Sequence, residues 1–267
     1  MIPVTPPLVL ILGPFDPTGA DGLPADAITC ARLACHGVSA VIALTVQDTA
    51  GIEEIHPVAP NLFDDQARCL LEDMPIQAIK VGGLFSAETA SIAAQIAADY
   101  SEVPLVLHLE QRSPLPQDAT AQDEAESLLA TLEFMLPQSN LVVIDHARLA
   151  QWDADGDIEI GDTANPMQAL LGAGAQWVLT LGYPIRPGHH ANLLLGPDGQ
   201  TYNWPWQTLP EPGSDAGGVA STTIATHLAQ DLDMAIAVEQ GLVHAEVAIA
   251  NSFRPGMGRR VPNRGLA

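Results

Sequence analysis

Leu8-Val9-Leu10-Ile11-Leu12-Gly13-Pro14-Phe15-Asp16-Pro17-Thr18-Gly19-Ala20-Asp21-Gly22-Leu23-Pro24-Ala25-Asp26 is the stretch whose reading sets the fold. The apolar run Leu8 to Leu12, closed by Gly13-Pro14, has the length and flanks of a buried strand. Phe15 to Gly22 reads as a small-residue loop, and Pro24 suits the first turn of a helix running to about His36. Strand, loop and helix in that order are how α/β folds build ligand sites at strand ends.

Downstream, the same alternation repeats. Strands are expected at Val38 to Val46, Ile76 to Val81, Leu105 to Leu109, Leu141 to Ile144 and Gln176 to Leu181, with an edge or cover strand at Ile52 to Val58. Helices are expected at Asn61 to Glu72, Ser86 to Asp99 with Ser86 as N-cap, Gln122 to Leu136, Ala147 to Trp152, Thr163 to Leu171, Gly218 to Ala229 and Met234 to Asn251. Gly196-Pro197-Asp198-Gly199 between Ala191 to Leu195 and Gln200 to Trp204 signals a hairpin. The pattern predicts one domain over residues 1–267 with a Gly/Arg/Pro tail at 255–267. Its sheet is mostly parallel, covered on both faces and carries an antiparallel hairpin at one edge.

The chain carries 32 acidic and 10 basic residues, for a net charge of −22, and Lys80 is its single lysine. Such a field repels nucleic acid and anionic membranes. The apolar runs are too short to span a bilayer and Met1 to Pro7 has no basic leader, so a cytoplasmic location is expected. Cys30, Cys35 and Cys69 have no metal-ligand spacing, and His189-His190 read as a solvated loop, so no metal site is expected. Four of the nine arginines fall in the last fourteen residues.

Ser214-Asp215-Ala216-Gly217-Gly218-Val219-Ala220-Ser221 is a bare turn opening an apolar helix. It reads either as an anion cradle at a helix N-terminus, suited to phosphoryl transfer, or as a close-packed turn-to-helix joint.

Phe15 to Gly22 followed by Ala25-Asp26 resembles the Asp-Pro-Ser-Gly-Gly-Ala-Gly-x-x-Ala-Asp signature of the hydroxymethylpyrimidine and phosphomethylpyrimidine kinases of thiamine biosynthesis, in the ribokinase-like superfamily. Ala43 to Thr49 is similar to that family's Ala-Leu-Thr-x-Gln-(Asn/Asp)-Thr, and Lys80 to Leu84 to its Lys-(Ile/Leu)-Gly-Met-Leu. The resemblance, running from about Leu8 to Arg260, implies a ribokinase-like three-layer αβα sandwich, ATP and Mg²⁺ as cofactors, a small-molecule pyrimidine ligand and a homodimer. It carries ring contacts to Asp26 and Gln47. Taken without the resemblance, Asp26 reads as a helix-surface carboxylate and Gln47 as a strand-end cap. Gly83 stands where the family has the Met that covers the pyrimidine.

The family's late Gly-(Thr/Ser)-Gly-Cys falls on Asp215-Ala216-Gly217-Gly218, or one residue later on Ala216 to Val219, and neither register supplies the cysteine. In the first register Asp215 is a candidate displaced base beside the Gly217 and Gly218 amides. Asn-x-x-Glu falls on Asp145-His146-Ala147-Arg148, Asp-Pro-Val on His108-Leu109-Glu110, and the (Lys/Thr)-Gly-Gly-His turn on Thr180-Leu181-Gly182-Tyr183. Asp145, Thr180 and Gly182 are therefore the candidate nucleotide contacts. Three expectations follow: an ATP-dependent pyrimidine kinase, a pyrimidine-binding pseudokinase, or a structural partner of an active paralogue.

Overall fold

A computed structural model describes residues 5–109, 121–156, 165–206 and 215–266. Ser214, the proposed loop Glu110 to Thr120, and Thr163 at the start of one expected helix lie outside the described residues. The strands are β1 (Leu8–Phe15), β2 (His36–Gln47), β3 (Ile52–Pro57), β4 (Ala78–Val81), β5 (Leu105–Leu109), β6 (Leu141–Asp145), β7 (Trp177–Arg186), β8 (His189–Leu195) and β9 (Thr201–Pro205). The helices are α1 (Gly22–Arg32), α2 (Pro60–Asp73), α3 (Ala87–Asp99), α4 (Ala121–Met135), α5 (His146–Asp155), α6 (Pro166–Gly172), α7 (Ala216–Ala229) and α8 (Met234–Ala250).

The strands form one sheet in the order β3-β2-β1-β4-β5-β6-β7-β8-β9. Neighbours from β2 to β7 run parallel, while β3 at one edge and the β8–β9 hairpin at the other run antiparallel. Antiparallel strands thus close both edges, one more than the hairpin signal gave. His189 and His190 lie in β8, paired with β7, and not in a loop. Cys35 stands just past α1, its amide donating to the Cys30 carbonyl, so only Cys30 is helical.

Alternation along β1 explains the three layers. Leu8, Leu10 and Leu12 point into a core with Phe63, Met135 and Trp152 under the α2–α6 side. Val9 and Ile11 point into the opposite core with Val219, Ile224 and Val238 of α7 and α8. Every residue of α7 from Ala216 to His227 is buried, which fits its Ala/Gly/Ser/Thr composition: small side chains let the helix lie close to the sheet and to α8. Ser86 caps α3 as expected, accepting from the Thr89 amide at 3.1 Å. No helix among the described residues is long and apolar enough to cross a membrane.

Candidate functional site

Because β2 and β4 flank β1 on opposite sides, the chain reverses direction across the sheet at β1, and the crevice beyond those strand ends is where an open α/β sheet receives a ligand. The loop after β1 is built around Asp16, which is 3% exposed. Its carboxylate accepts from the Thr18 amide at 2.7 Å, the Thr18 hydroxyl at 2.8 Å and the amides of Ala20 and Asp21 at 3.1 and 3.0 Å. Asp21 then caps α1 through the Gly22 amide at 2.6 Å. Gly22 has φ +62°, and a Cβ there would run into the Pro14 carbonyl, so this corner accepts only glycine.

A cleft of about 190 Å³ opens beside this loop. Thr45 and Gln47 at the end of β2, Asp48 and Thr49 of the following turn, Asp215, and Arg259 to Pro262 of the C-terminal segment line it. Gln47, expected at the pyrimidine, therefore faces the cleft together with the first loop and the head of α7. The C-terminal segment, expected to be a tail, is instead folded back as a wall. Its strand-like bridge pairs Phe253 with Val261. Gly256 and Gly258 pass so close to Thr49 that a side chain on either would collide with it.

Asp26 is placed differently from both of its expected roles. It is fully buried, at 0% exposure, and lines neither cavity described here. Lys80 Nζ donates to its Oδ2 at 2.8 Å, Thr222 Oγ1 donates to its Oδ1 at 2.6 Å, and Arg264 lies 3.6 Å away. The aspartate joins α1, β4, α7 and the C-terminal segment beneath the site.

The head of α7 is filled by its own cap. Asp215 accepts from the Gly218 amide at 2.7 Å through Oδ1 and from Arg264 Nη2 at 2.7 Å through Oδ2. Arg264, 3% exposed, also donates to the Ala20 carbonyl and to Thr29 Oγ1, each at 3.3 Å. Burial pushes the Asp215 carboxyl up, but the Arg264 guanidinium, helped by His108 and by hydrogen bonds from Asp21 and Gly218, holds it below the usual carboxylate range. A carboxylate so committed is a weak proton acceptor, so the geometry gives Asp215 the part of cap and ion-pair partner rather than base. A Cβ on Gly217 would strike His108, and one on Gly218 would strike Asp215 itself.

The remaining candidates do not converge on the Gln47 cleft. Gly83 lines a second cavity of about 210 Å³ with His108, Glu124, Arg148 and Trp152. Asp145 is exposed at the end of β6, its carboxyl raised by the protein packed around it and by Asp215, against the pull of His108. Thr180 is wholly buried within β7. Gly182, at φ +68°, donates to Asn192 Oδ1 at 3.2 Å and lies under the Trp206 ring. Arg148, at the position of the family's Glu, stacks over Trp152 at 5.1 Å and pairs with Glu124 at 3.9 Å. Among the described residues no group of three or more His, Cys, Asp or Glu side chains is placed to hold a metal ion.

The sheet order, the two helical layers and a site at the carboxyl strand ends define an αβα sandwich of the ribokinase-like class. Pyridoxal kinase of Staphylococcus aureus, solved with pyridoxal, superposes with TM-score 0.80 at 19% identity over 98% of this chain and 94% of that one. Phosphomethylpyrimidine kinase of Clostridium difficile superposes with TM-score 0.73 at 19% identity over 91% and 99%. At those identities the likeness is one of fold.

The chain belongs to the phosphomethylpyrimidine kinase family, whose model matches residues 16–263. Hydroxymethylpyrimidine/phosphomethylpyrimidine kinase of Mycobacterium tuberculosis is 33% identical over 246 residues, covering 89% of this chain and 86% of that protein. The match supports a kinase function in thiamine biosynthesis. Arg259, Arg260, Arg264 and His108 were not singled out as site residues from the sequence. The signal that pointed to three of them was the crowding of arginine into the last fourteen residues of an otherwise acidic chain.

Proposed function

We propose that this protein binds a hydroxymethylpyrimidine, or its phosphate, in the Gln47 cleft, and that its reaction is ATP-dependent phosphoryl transfer to that ligand. The observation that carries the reading is the meeting of Gln47, the Asp16 loop, and the head of α7 around one cleft. The Gln47 amide both donates and accepts, as the edge of an aminopyrimidine requires. The α7 amides and the Arg264 guanidinium bonded to Asp215 are positive groups at the edge of the cleft, and phosphoryl transfer rests on such positioning and charge stabilisation. For transfer, the Gly218 amide has to be released from Asp215. ATP with Mg²⁺ would supply the phosphoryl group and the counter-charge. Asp145, exposed at the end of β6, is the candidate acid for that task, and with no group of three or more His, Cys, Asp or Glu side chains among the described residues placed to hold a metal ion, the residues present suit a metal poorly.

One observation favours a second reading, a pyrimidine-binding protein without transfer: the Asp215 carboxylate holds the Gly218 amide in the place where a transferring phosphoryl group would need it. Calorimetric titration with hydroxymethylpyrimidine and separately with Mg·ATP, followed by assay of the phosphorylated product, divides the two. Product formation sinks the second reading. Pyrimidine binding with no nucleotide response sinks the first, and binding of neither ligand sinks both.

A further inference from the structure

The cleft is lined by four carboxylates and two arginines, and their hydrogen bonds separate them. Asp16 is saturated by the loop after β1, and Asp215 is engaged by Gly218 and Arg264. Asp48 accepts from the amides of Ala50 and Gly51 at 2.6 and 3.2 Å, and Asp21 from the Gly22 amide. Arg260 is tied through Nε to Ser252 Oγ at 2.9 Å and through Nη2 to the Ser252 carbonyl.

Arg259 differs. Its backbone is pinned, with the amide donating to the Thr49 carbonyl at 2.6 Å and the neighbouring Gly258 amide donating to Thr49 Oγ1 at 3.0 Å. Its side chain is exposed on the cleft, and its guanidinium meets no partner among the described residues. In a chain of net charge −22, a segment that folds back to hold one unspent guanidinium at the rim of a ligand cleft concentrates positive charge where a ligand enters.

We propose that Arg259 is the specificity-determining residue of this cleft. It recognises an anionic substituent, so the preferred ligand is the phosphate ester of a hydroxymethyl heteroaromatic ring rather than the uncharged alcohol. The inference rests on the pyrimidine reading of the Gln47 cleft. A guanidinium can meet two phosphate oxygens with parallel N–H donors, and such charge-assisted bonds are shorter and stronger than neutral ones. Gln47 and Thr45 at the end of β2 then address the ring while Arg259, on the segment pinned to Thr49, addresses its anion. Arg264 and Arg260 hold that segment in place.

The test is calorimetric titration of the full chain and of Arg259→Ala with three probes: hydroxymethylpyrimidine, its phosphate ester and inorganic phosphate. The ester is expected to bind the wild-type chain at least about tenfold more tightly than the alcohol, as a charge-assisted hydrogen bond implies. That preference should shrink as salt is raised and vanish in Arg259→Ala, with partial recovery in Arg259→Lys. Equal affinity for ester and alcohol in the wild type overturns the proposal. So does an equal loss of both ligands in Arg259→Ala. Binding of neither pyrimidine, with inorganic phosphate still captured through Arg259, overturns the pyrimidine reading and supports the anion site. No Arg259-dependent binding of any probe overturns the anion site.

Discussion

Arg264→Ala should destabilise the protein by about 3 kcal/mol, the low end of the loss caused by stripping one partner from a buried ion pair. Two features of the structure set that figure. Asp215 would keep its hydrogen bonds from the Gly218 amide and Asp21, and its side chain is 20% exposed, so water can replace part of what is lost. Asp26, 3.6 Å from Arg264, is not orphaned, because Lys80 at 2.8 Å and Thr222 at 2.6 Å still hold it. Urea unfolding measures the effect as a fall in midpoint at unchanged slope.

The pH dependence separates the ion pair from simple packing of the arginine stem. In the wild type the folded pKa of Asp215 is depressed, so its contribution is present above the unfolded value of about 3.8 and is lost as pH falls through the folded value. In Arg264→Ala burial is left without its main counterweight and pushes the carboxyl up. The stability gap between variant and wild type should therefore widen from pH 3 to pH 6, an interval on the order of that spanned by perturbed aspartates. A gap below about 0.5 kcal/mol, the scale of an ordinary surface substitution, or one that does not change with pH, would refute the role given to the pair. Equal stability of Arg264→Met and wild type would refute it too.

Gln47→Ala should weaken hydroxymethylpyrimidine binding by about 1–3 kcal/mol in a calorimetric titration if the amide pairs with the ring, and unchanged affinity would remove Gln47 from the ligand. Lys80→Met leaves Asp26 buried without its ammonium and should cost about 3–5 kcal/mol in urea unfolding, with much of the loss recovered in Lys80→Met/Asp26→Leu. His244 is held neutral by burial, with its pKa lowered to about 4. A His that is depressed on folding favours the unfolded chain as it takes up protons, so stability should fall from pH 6.5 towards 4, and His244→Gln should flatten part of that slope. Burial pushes Cys30 up to about 12 and also raises Cys35, whereas Cys69 is exposed. A thiol reagent at pH 8, near the ordinary thiol range of about 8.5, should therefore label Cys69 rapidly in the native protein, and rapid modification of Cys30 would contradict the packing.

The alternation of apolar runs and turns made the sheet legible, because burial on both faces writes parallel strands as continuous Val/Ile/Leu segments. Boundaries such as Leu105 to Leu109 coincide with the structure, while β7 runs on to Arg186, through Gly182 and Pro184, which break the apolar pattern. The site was half legible. Gln47 and the Asp16 loop sit in short motifs whose spacing mirrors one turn of chain, so reading them in sequence also reads them in space. Asp26 sits in such a motif as well, yet its surroundings come from β4, α7 and residue 264, which are 54, 196 and 238 positions away, and no local pattern reports that a carboxylate has been enclosed from such distances.

The same reasoning changes the question asked of Asp215. Viewed along the chain, it is an acid next to two glycines where a reactive residue is missing, and a displaced base is the natural thought. In three dimensions it is the hub of a contact between the head of α7 and a C-terminal segment 49 residues further on. A base must have a lone pair to spare and a pKa near that of its working pH. Asp215 has given both oxygens to donors, and its arginine partner lowers its basicity further. Arg264 supplies positive charge within one hydrogen bond of the residue that caps α7, in a chain that has few cations. If the kinase reaction survives here, it survives through that charge and the α7 amides, and Asp215 is the group that has to move aside. Asp215→Gly should then raise transfer, whereas a base would make the same substitution abolish it.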